Sequence, residues 1–165
     1  MIFVTVGTHE QSFERLLKCI DKMLDDGNIT EEVICQKGFT DYEPKNFKAE
    51  KLLPYEKMQE YIEKARIVVT HGGPASFLEP LKYGKIPVVV PRKKEFNEHV
   101  NNHQLDFSKE VKKRMNNIIV VEDEKELINA IINYNEIVEK MTTNNNHNNK
   151  FFCDRLRVII ENLMK

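Results

Sequence analysis

The sequence predicts an α/β domain, a Rossmann-like parallel sheet with helices on both faces. Two observations carry that prediction. Short β-branched runs alternate with stretches of helical apolar spacing along most of the chain. Two glycine-containing turns, Val6-Gly7-Thr8-His9-Glu10-Gln11 and Thr70-His71-Gly72-Gly73-Pro74-Ala75-Ser76, each follow a strand-like run and lead into a helical one. Strands alternating with helices bury an apolar strand on both sides, so the sheet is parallel and covered twice.

Residues 2–6 are uniformly apolar or β-branched and read as a buried strand. Phe13, Leu16, Leu17, Ile20 and Leu24 recur at helical spacing, and Asp26-Gly27-Asn28 closes that helix. Residues 33–36 form a second strand and 46–53 a weaker, partly charged one. Met58, Tyr61, Ile62 and Ala65 mark a helix, and residues 67–70 a strand. A short helix is expected over 75–83 with Gly84 as its cap. Pro80 inside it predicts a short or kinked helix, because it lacks an N–H and disfavours helical geometry at Glu79. Residues 87–90 form a strand, 98–111 a helix and 118–121 a strand. Leu127, Ile131, Tyr134 and Val138 mark another helix.

At 165 residues the chain holds one domain with a substantial core. That domain is expected over residues 1–141. The polar run TTNNNHNN, residues 142–149, reads as a linker with too little apolar area to fold. His147 within it has no second ligand at metal spacing. Residues 150–165 read as a final helix with Phe152, Leu156, Ile159, Ile160 and Leu163 on one stripe, packing on the domain or on a partner.

The 25 basic and 26 acidic residues nearly cancel, so no nucleic-acid partner is expected. The clusters Arg92-Lys93-Lys94 and 109–114 are read as solvated faces, with a phosphate or membrane contact as the alternative. Cys19, Cys35 and Cys153 form no CxxC pair and read as reduced thiols of a cytosolic protein. The chain enters a strand at once, so no signal peptide is expected. No apolar run approaches the ~20 residues that span a bilayer.

Both glycine turns fall at the carboxyl edge of a parallel sheet, where open α/β folds bind ligands. In the second turn two glycines admit unusual dihedrals and let an oxygen-rich ligand approach the backbone. Pro74 suits a first helical turn, and Ser76 adds a hydroxyl and exposed N–H groups. Free N–H groups at a positive helix end form an anion site suited to a diphosphate. A tight turn without a ligand is the alternative.

The run THGGPASFLEPLKYGKIPVVVPRKKEFNEHVNNHQLDF, residues 70–107, resembles the signature of glycosyltransferase family 28 C-terminal domains. The opening IFVTVGTHEQSFERLL is similar to the start of that family's short, stand-alone members. Those are small subunits of two-component transferases in bacterial capsule and exopolysaccharide assembly. The EHV-NN-HQ-LDF segment and the late FFCDRL place the capsular group nearest. The catalytic subunit of the eukaryotic dolichol-linked N-acetylglucosaminyltransferase is a more distant likeness.

The resemblance implies the donor-binding half of a GT-B glycosyltransferase. It assigns Gly72, Gly73 and Ser76, with His71, Pro74 and Ala75 in the same turn, to the donor diphosphate. Glu79 matches the acidic residue that hydrogen-bonds the ribose, and Leu53, Pro54 and Tyr55 the segment whose backbone reads uracil. Arg92, Glu98, His103 and Gln104 fall where the family contacts the diphosphate or donor sugar, Gln104 at the hexose. His99 is left as a polar helix face. Gly7, Thr8 and His9 match a first loop facing diphosphate and acceptor, and His9 has a suitable unperturbed pKa for a base, although a partner could supply one.

The reaction implied is inverting transfer from a UDP-hexose, with UDP-galactose expected first and UDP-glucose second. No Asp-x-Asp motif is present, so no metal and no other cofactor is expected. One Rossmann-like domain cannot form a two-sided cleft. A membrane-associated, acceptor-binding glycosyltransferase subunit is therefore expected to bring a lipid-linked saccharide. That places the protein in the cytoplasm, at the inner face of the membrane; self-association into a homo-oligomer stays open. Rival readings are half of an epimerase-like enzyme and a non-catalytic module that binds nucleotide sugar or positions its partner.

Overall fold

The computed structural model describes residues 1–141. The chain divides after Tyr134, and the first unit, Met1–Tyr134, carries the whole sheet. Its strands are β1 (Ile2–Thr5), β2 (Val33–Gln36), β3 (Lys48–Glu50), β4 (Ile67–His71), β5 (Val88–Val90) and β6 (Ile119–Val120). They form one sheet in the order β3-β2-β1-β4-β5-β6, every pair parallel. The connecting helices are α1 (Glu14–Asp25), α2 (Tyr55–Lys64), α3 (Pro74–Lys82), α4 (His103–Met115) and α5 (Glu124–Ile132). Residues 134–141 are again helical. The predicted linker over 142–149 and helix over 150–165 lie outside the described residues.

Register fixes which side chains share a face. Phe3 stands opposite Ile34 and Val68, and Val89 opposite Thr70 and Val120, so these residues line one side. Ile62 of α2 and Ala65 just after it pack on Phe3 and Val68 there. Phe77 of α3 packs on Val89, Ile118 and Val120. The other side carries Val4, Val69 and Val90, with Leu16 and Cys19 of α1 and Leu127 of α5 beside Val90. The β1 and β4 strands are buried throughout, which explains their continuous apolar reading. No helix among the described residues is long and apolar enough to cross a membrane.

Four expectations change in detail. The third strand is shorter than residues 46–53 because its ends bond elsewhere. Asn46 donates its N–H to Asp21 (2.9 Å), and the Leu53 N–H goes to the Gln36 amide oxygen (3.0 Å). The helix expected over 98–111 starts five residues later, at His103. Lys94–Phe96 form a 3-10 turn, and Asn97 is left-handed at φ 56°. Asn102 and Asn101 then accept the N–H groups of Lys94 and His103, closing side-chain turns that compete with a helix. The helix runs on to Met115, where Asn116 (φ 47°) ends it.

Pro80 does not break α3. The helix is nine residues long, and its end is closed by Gly84 at φ 67°, whose N–H goes to the Leu81 carbonyl, while the Tyr83 and Lys85 N–H groups go to that of Pro80. The helix expected around Leu127 to Val138 instead stops at Ile132. Asp123 caps its start, accepting the Glu126 N–H at 2.9 Å.

Candidate functional site

The strand order reverses direction between β1 and β4, so the crevice of an open α/β sheet lies at their carboxyl ends. The loops after β1, β3, β4 and β5 gather there. A buried polar layer sets their heights. Thr5 Oγ accepts the Gly7 N–H (3.3 Å) and a Gln36 amide hydrogen (3.4 Å), and Gln36 in turn fixes Leu53. The N–H of Leu53 is thereby used, while no described residue donates to its carbonyl.

His71 ends β4 and fills the crevice, 9% exposed. Its ring lies between Gly7 and Gly73: a Cβ on either glycine would enter the van der Waals envelope of the imidazole. Burial, then the Arg92 cation, pushes its pKa down to about 4, so the ring is neutral at physiological pH. Among the described residues its buried Nδ1 has no hydrogen bond of normal geometry, and the Thr5 backbone is the polar group that acts on the ring.

The glycine turn works differently from the expectation. Neither Gly72 nor Gly73 has positive φ, and Gly73 sits at −73°. The left-handed glycine is Gly7, at φ 75°. Gly72 and Gly73 are required by close approach instead. A Cβ on Gly72 would lie 2.8 Å from the Gln104 Cβ, and one on Gly73 3.1 Å from Cδ2 of His71. Pro74 opens α3, as expected. Among the described residues the N–H groups of Gly73 and Ala75 have no partner, so donors point out of a helix N-terminus.

Two pockets flank that helix start. The larger, about 380 Å³, is lined by Gly72, Gly73, Pro74, His99, His103, Gln104 and Phe107. Gln104 is oriented within it: its amide oxygen accepts the N–H groups of Gly72 (3.1 Å) and Arg92 (3.2 Å). Its NH₂ group bonds to no described residue and remains a donor. The smaller, about 160 Å³, is lined by Thr5, Tyr55, Met58, Ile62, Ala75, Ser76 and Glu79. Tyr55 donates its hydroxyl to Glu79 (3.4 Å), and Lys82 pairs with the same carboxylate at 2.5 Å. The hydrogen bond from Lys82 is the main reason the Glu79 pKa is lowered. Pro54 is exposed at the start of α2 beside this pocket.

Thr8 is exposed on the first loop and His9 half-buried. The Gln11 amide donates to the Asn97 carbonyl (3.2 Å), which turns its oxygen to Nε2 of His9 at 2.9 Å. The Gln11 oxygen is an acceptor, so Nε2 of His9 is the donor in that bond. The His9 ring packs on His99 with centroids 4.8 Å apart.

Arg92 and Glu98 are corrected. Arg92 is fully buried, and its guanidinium donates to the carbonyls of Gln11 (2.6 Å), Val6 (2.9 Å) and Glu98 (3.2 Å), over the Phe13 ring. Glu98 is 2% exposed, takes two bonds from Arg15 (2.9 and 3.0 Å) and accepts the Lys93 N–H. Neither side chain is presented to a ligand. The basic cluster 92–94 thus has one buried member. His99 and Phe107 are pocket residues that sequence reasoning did not select; Gln11 lies in the first glycine turn without an assigned role, and Arg15 had no local signal.

A parallel α/β unit with these loops at the β1/β4 crevice is a Rossmann-like domain of the kind that forms one half of a GT-B glycosyltransferase. Solved structures share that fold. The glycotransferase of kitacinnamycin superposes with TM-score 0.55 over 87% of this chain and 38% of that one, at 17% identity. SnogD, a glycosyltransferase from Streptomyces nogalater, gives 0.52 over 86% and 39%, at 16% identity.

The sequence profile of the glycosyltransferase family 28 C-terminal domain matches residues 1–162, and the chain belongs to that family. It is 35% identical over 121 residues to the UDP-N-acetylglucosamine transferase subunit ALG13 of Homo sapiens. That match covers 68% of this chain, which spans only 10% of the human protein.

Proposed function

We propose that this chain is the UDP-hexose-binding subunit of an inverting, metal-independent glycosyltransferase. The sugar is galactose first, by likeness to capsular small subunits. A membrane-associated partner brings a lipid-linked saccharide at the inner face of the cell membrane, in surface polysaccharide assembly. The observation that carries this reading is the pair of pockets on either side of the Gly73-Pro74-Ala75 turn. Uridine fits the side of Tyr55, Ser76 and Glu79, with the Leu53 carbonyl near the base. The hexose fits the side of Gln104 and His103. The diphosphate then lies over the free N–H groups at the start of α3.

In the reaction the acceptor hydroxyl oxygen attacks the anomeric carbon from the face opposite the diphosphate. The carbon–oxygen bond to UDP breaks with its electron pair on the diphosphate, and the configuration inverts. The acceptor proton passes to a base. His9 is available for that step, and the partner is the other source. Donors already aimed at the leaving group lower the barrier because they need no reorganisation as charge develops.

Co-expression with the membrane-associated subunit and a screen of radiolabelled UDP-sugars on a lipid acceptor tests this reading. Transfer is expected only with both subunits, from UDP-galactose, and undiminished by EDTA. Loss of transfer on chelation would remove the metal-free part, and transfer from another UDP-sugar the galactose part. A chain that does not bind UDP at all would remove the reading itself.

A further inference from the structure

Arg92 is the largest fully buried side chain that carries a charge, and nothing in the proposed chemistry above uses it. A cation so placed costs desolvation free energy, which carbonyl bonds repay only in part. Its bonds are not spread through the core. The guanidinium holds the Val6 carbonyl where the first loop begins, and the Gln11 carbonyl, with Ser12 at 3.5 Å, where it ends. It also holds the Glu98 carbonyl in the loop that carries His99. The backbone N–H of Arg92 is one of the two donors that orient Gln104. The Glu98 and Gln104 bonds end beside the larger pocket, and the Val6 and Gln11 bonds fix the two ends of the loop that carries Gly7 and His9.

Two consequences follow. The loop between the clamped ends, residues 8–12, keeps five backbone N–H groups that bond to no described residue. Where successive fixed N–H groups converge, they bind an anion. The Glu98 carboxylate, meanwhile, is turned to Arg15 and to the Lys93 N–H. The Arg92 guanidinium therefore bonds neutral carbonyls, with Glu98 offsetting its charge only through space, and its field still reaches His71 in the crevice.

We propose that Arg92 is a positioning residue: without touching the ligand, it presents the 8–12 loop and Gln104 to the donor and places a fixed positive charge beneath its diphosphate. This rests on the nucleotide-sugar reading above.

Calorimetry on the full chain with UDP and with uridine separates the two. Uridine is expected in the pocket of Tyr55 and Glu79, which Arg92 does not touch. Arg92→Met should weaken UDP about tenfold or more while uridine changes less than about twofold. Arg92→Lys, which keeps the charge but cannot reach all three carbonyls, should fall between. Equal losses for both ligands, or no loss for UDP in a folded variant, would overturn the inference and leave the reading intact. Should neither variant fold, amide chemical shifts of the wild-type chain decide: UDP should move the 8–12 amides and uridine should not. Unmoved amides in a chain that binds UDP overturn the inference. A wild-type chain that binds neither ligand removes the reading and the inference together.

Discussion

The imidazole of His71 occupies the space in which a side chain at Gly7 would stand: a Cβ there would lie 2.7 Å from Nε2 and closer still to Cε1. The same ring blocks a side chain at Gly73. One neutral, buried histidine therefore explains a glycine on each of the two loops at the β1/β4 crevice. It also sets how near those loops come to each other.

Gly73→Ala should destabilise the domain by about 1–3 kcal/mol, since the new methyl group must displace a packed ring. In a His71→Ala background most of that cost should vanish, because the obstacle is gone. Gly7→Ala should stay costly in both backgrounds, as φ 75° strains any residue with a Cβ. Urea denaturation of the three single and two double variants measures this. Additive costs for Gly73→Ala and His71→Ala would rule the shared clash out.

His71 should make stability fall as pH falls from 6.5 to about 4. The unfolded chain takes up the proton near 6.5, whereas the folded one resists until about 4. In that window the unfolded state binds more protons, and acid favours it. The effect is at most roughly 3 kcal/mol. His71→Gln, which cannot titrate, should flatten the curve of Tm against pH between 4.5 and 6.5. An unchanged slope would show that the imidazole is not held neutral.

Glu79→Ala should weaken UDP ten- to a hundredfold, the loss of a charge-assisted bond pair of about 1.5–3 kcal/mol. The carboxylate lines the smaller pocket and bonds Tyr55 and Lys82 rather than a core group, so the fold should survive. Gln104→Ala should spare UDP and weaken UDP-hexose. Normal UDP affinity in the Glu79 variant would reduce that residue to an ordinary helix-surface carboxylate.

Glu98→Gln leaves Arg15 without its counter-charge at a nearly buried position and should cost about 3–5 kcal/mol. Arg15→Met combined with Glu98→Leu should recover much of it, since an apolar pair avoids the desolvation of two ions. Thermal melts of the single and double variants test this. A Glu98→Gln protein as stable as wild type would mean the ion pair contributes little.

Much of this protein was legible in the chain itself. A strand buried on both faces is apolar over most of its length, so β1 and β4 announce themselves in the runs Ile2-Phe3-Val4 and Ile67-Val68-Val69. The capping glycine at 84 and the opening Pro74 follow from local dihedral limits. Family likeness over residues 70–107 then named the class of protein. These are short-range properties, set by a residue and its neighbours within a turn.

What only the tertiary structure decided involves partners far apart in sequence. Arg92 reads as a phosphate-binding cation until Val6, 86 positions away, draws its guanidinium inside. Glu98 reads as part of a helix until Arg15, 83 positions away, pulls it into a buried pair. Gly72 and Gly73 read as conformational glycines, yet their φ values are ordinary, and it is Gln104 and His71 that forbid a side chain. Sequence periodicity records which face of an element is buried. It does not record which polar group waits on the other side. A buried charge is settled by that partner, because desolvation and hydrogen bonding nearly cancel and the geometry of the pair determines the balance.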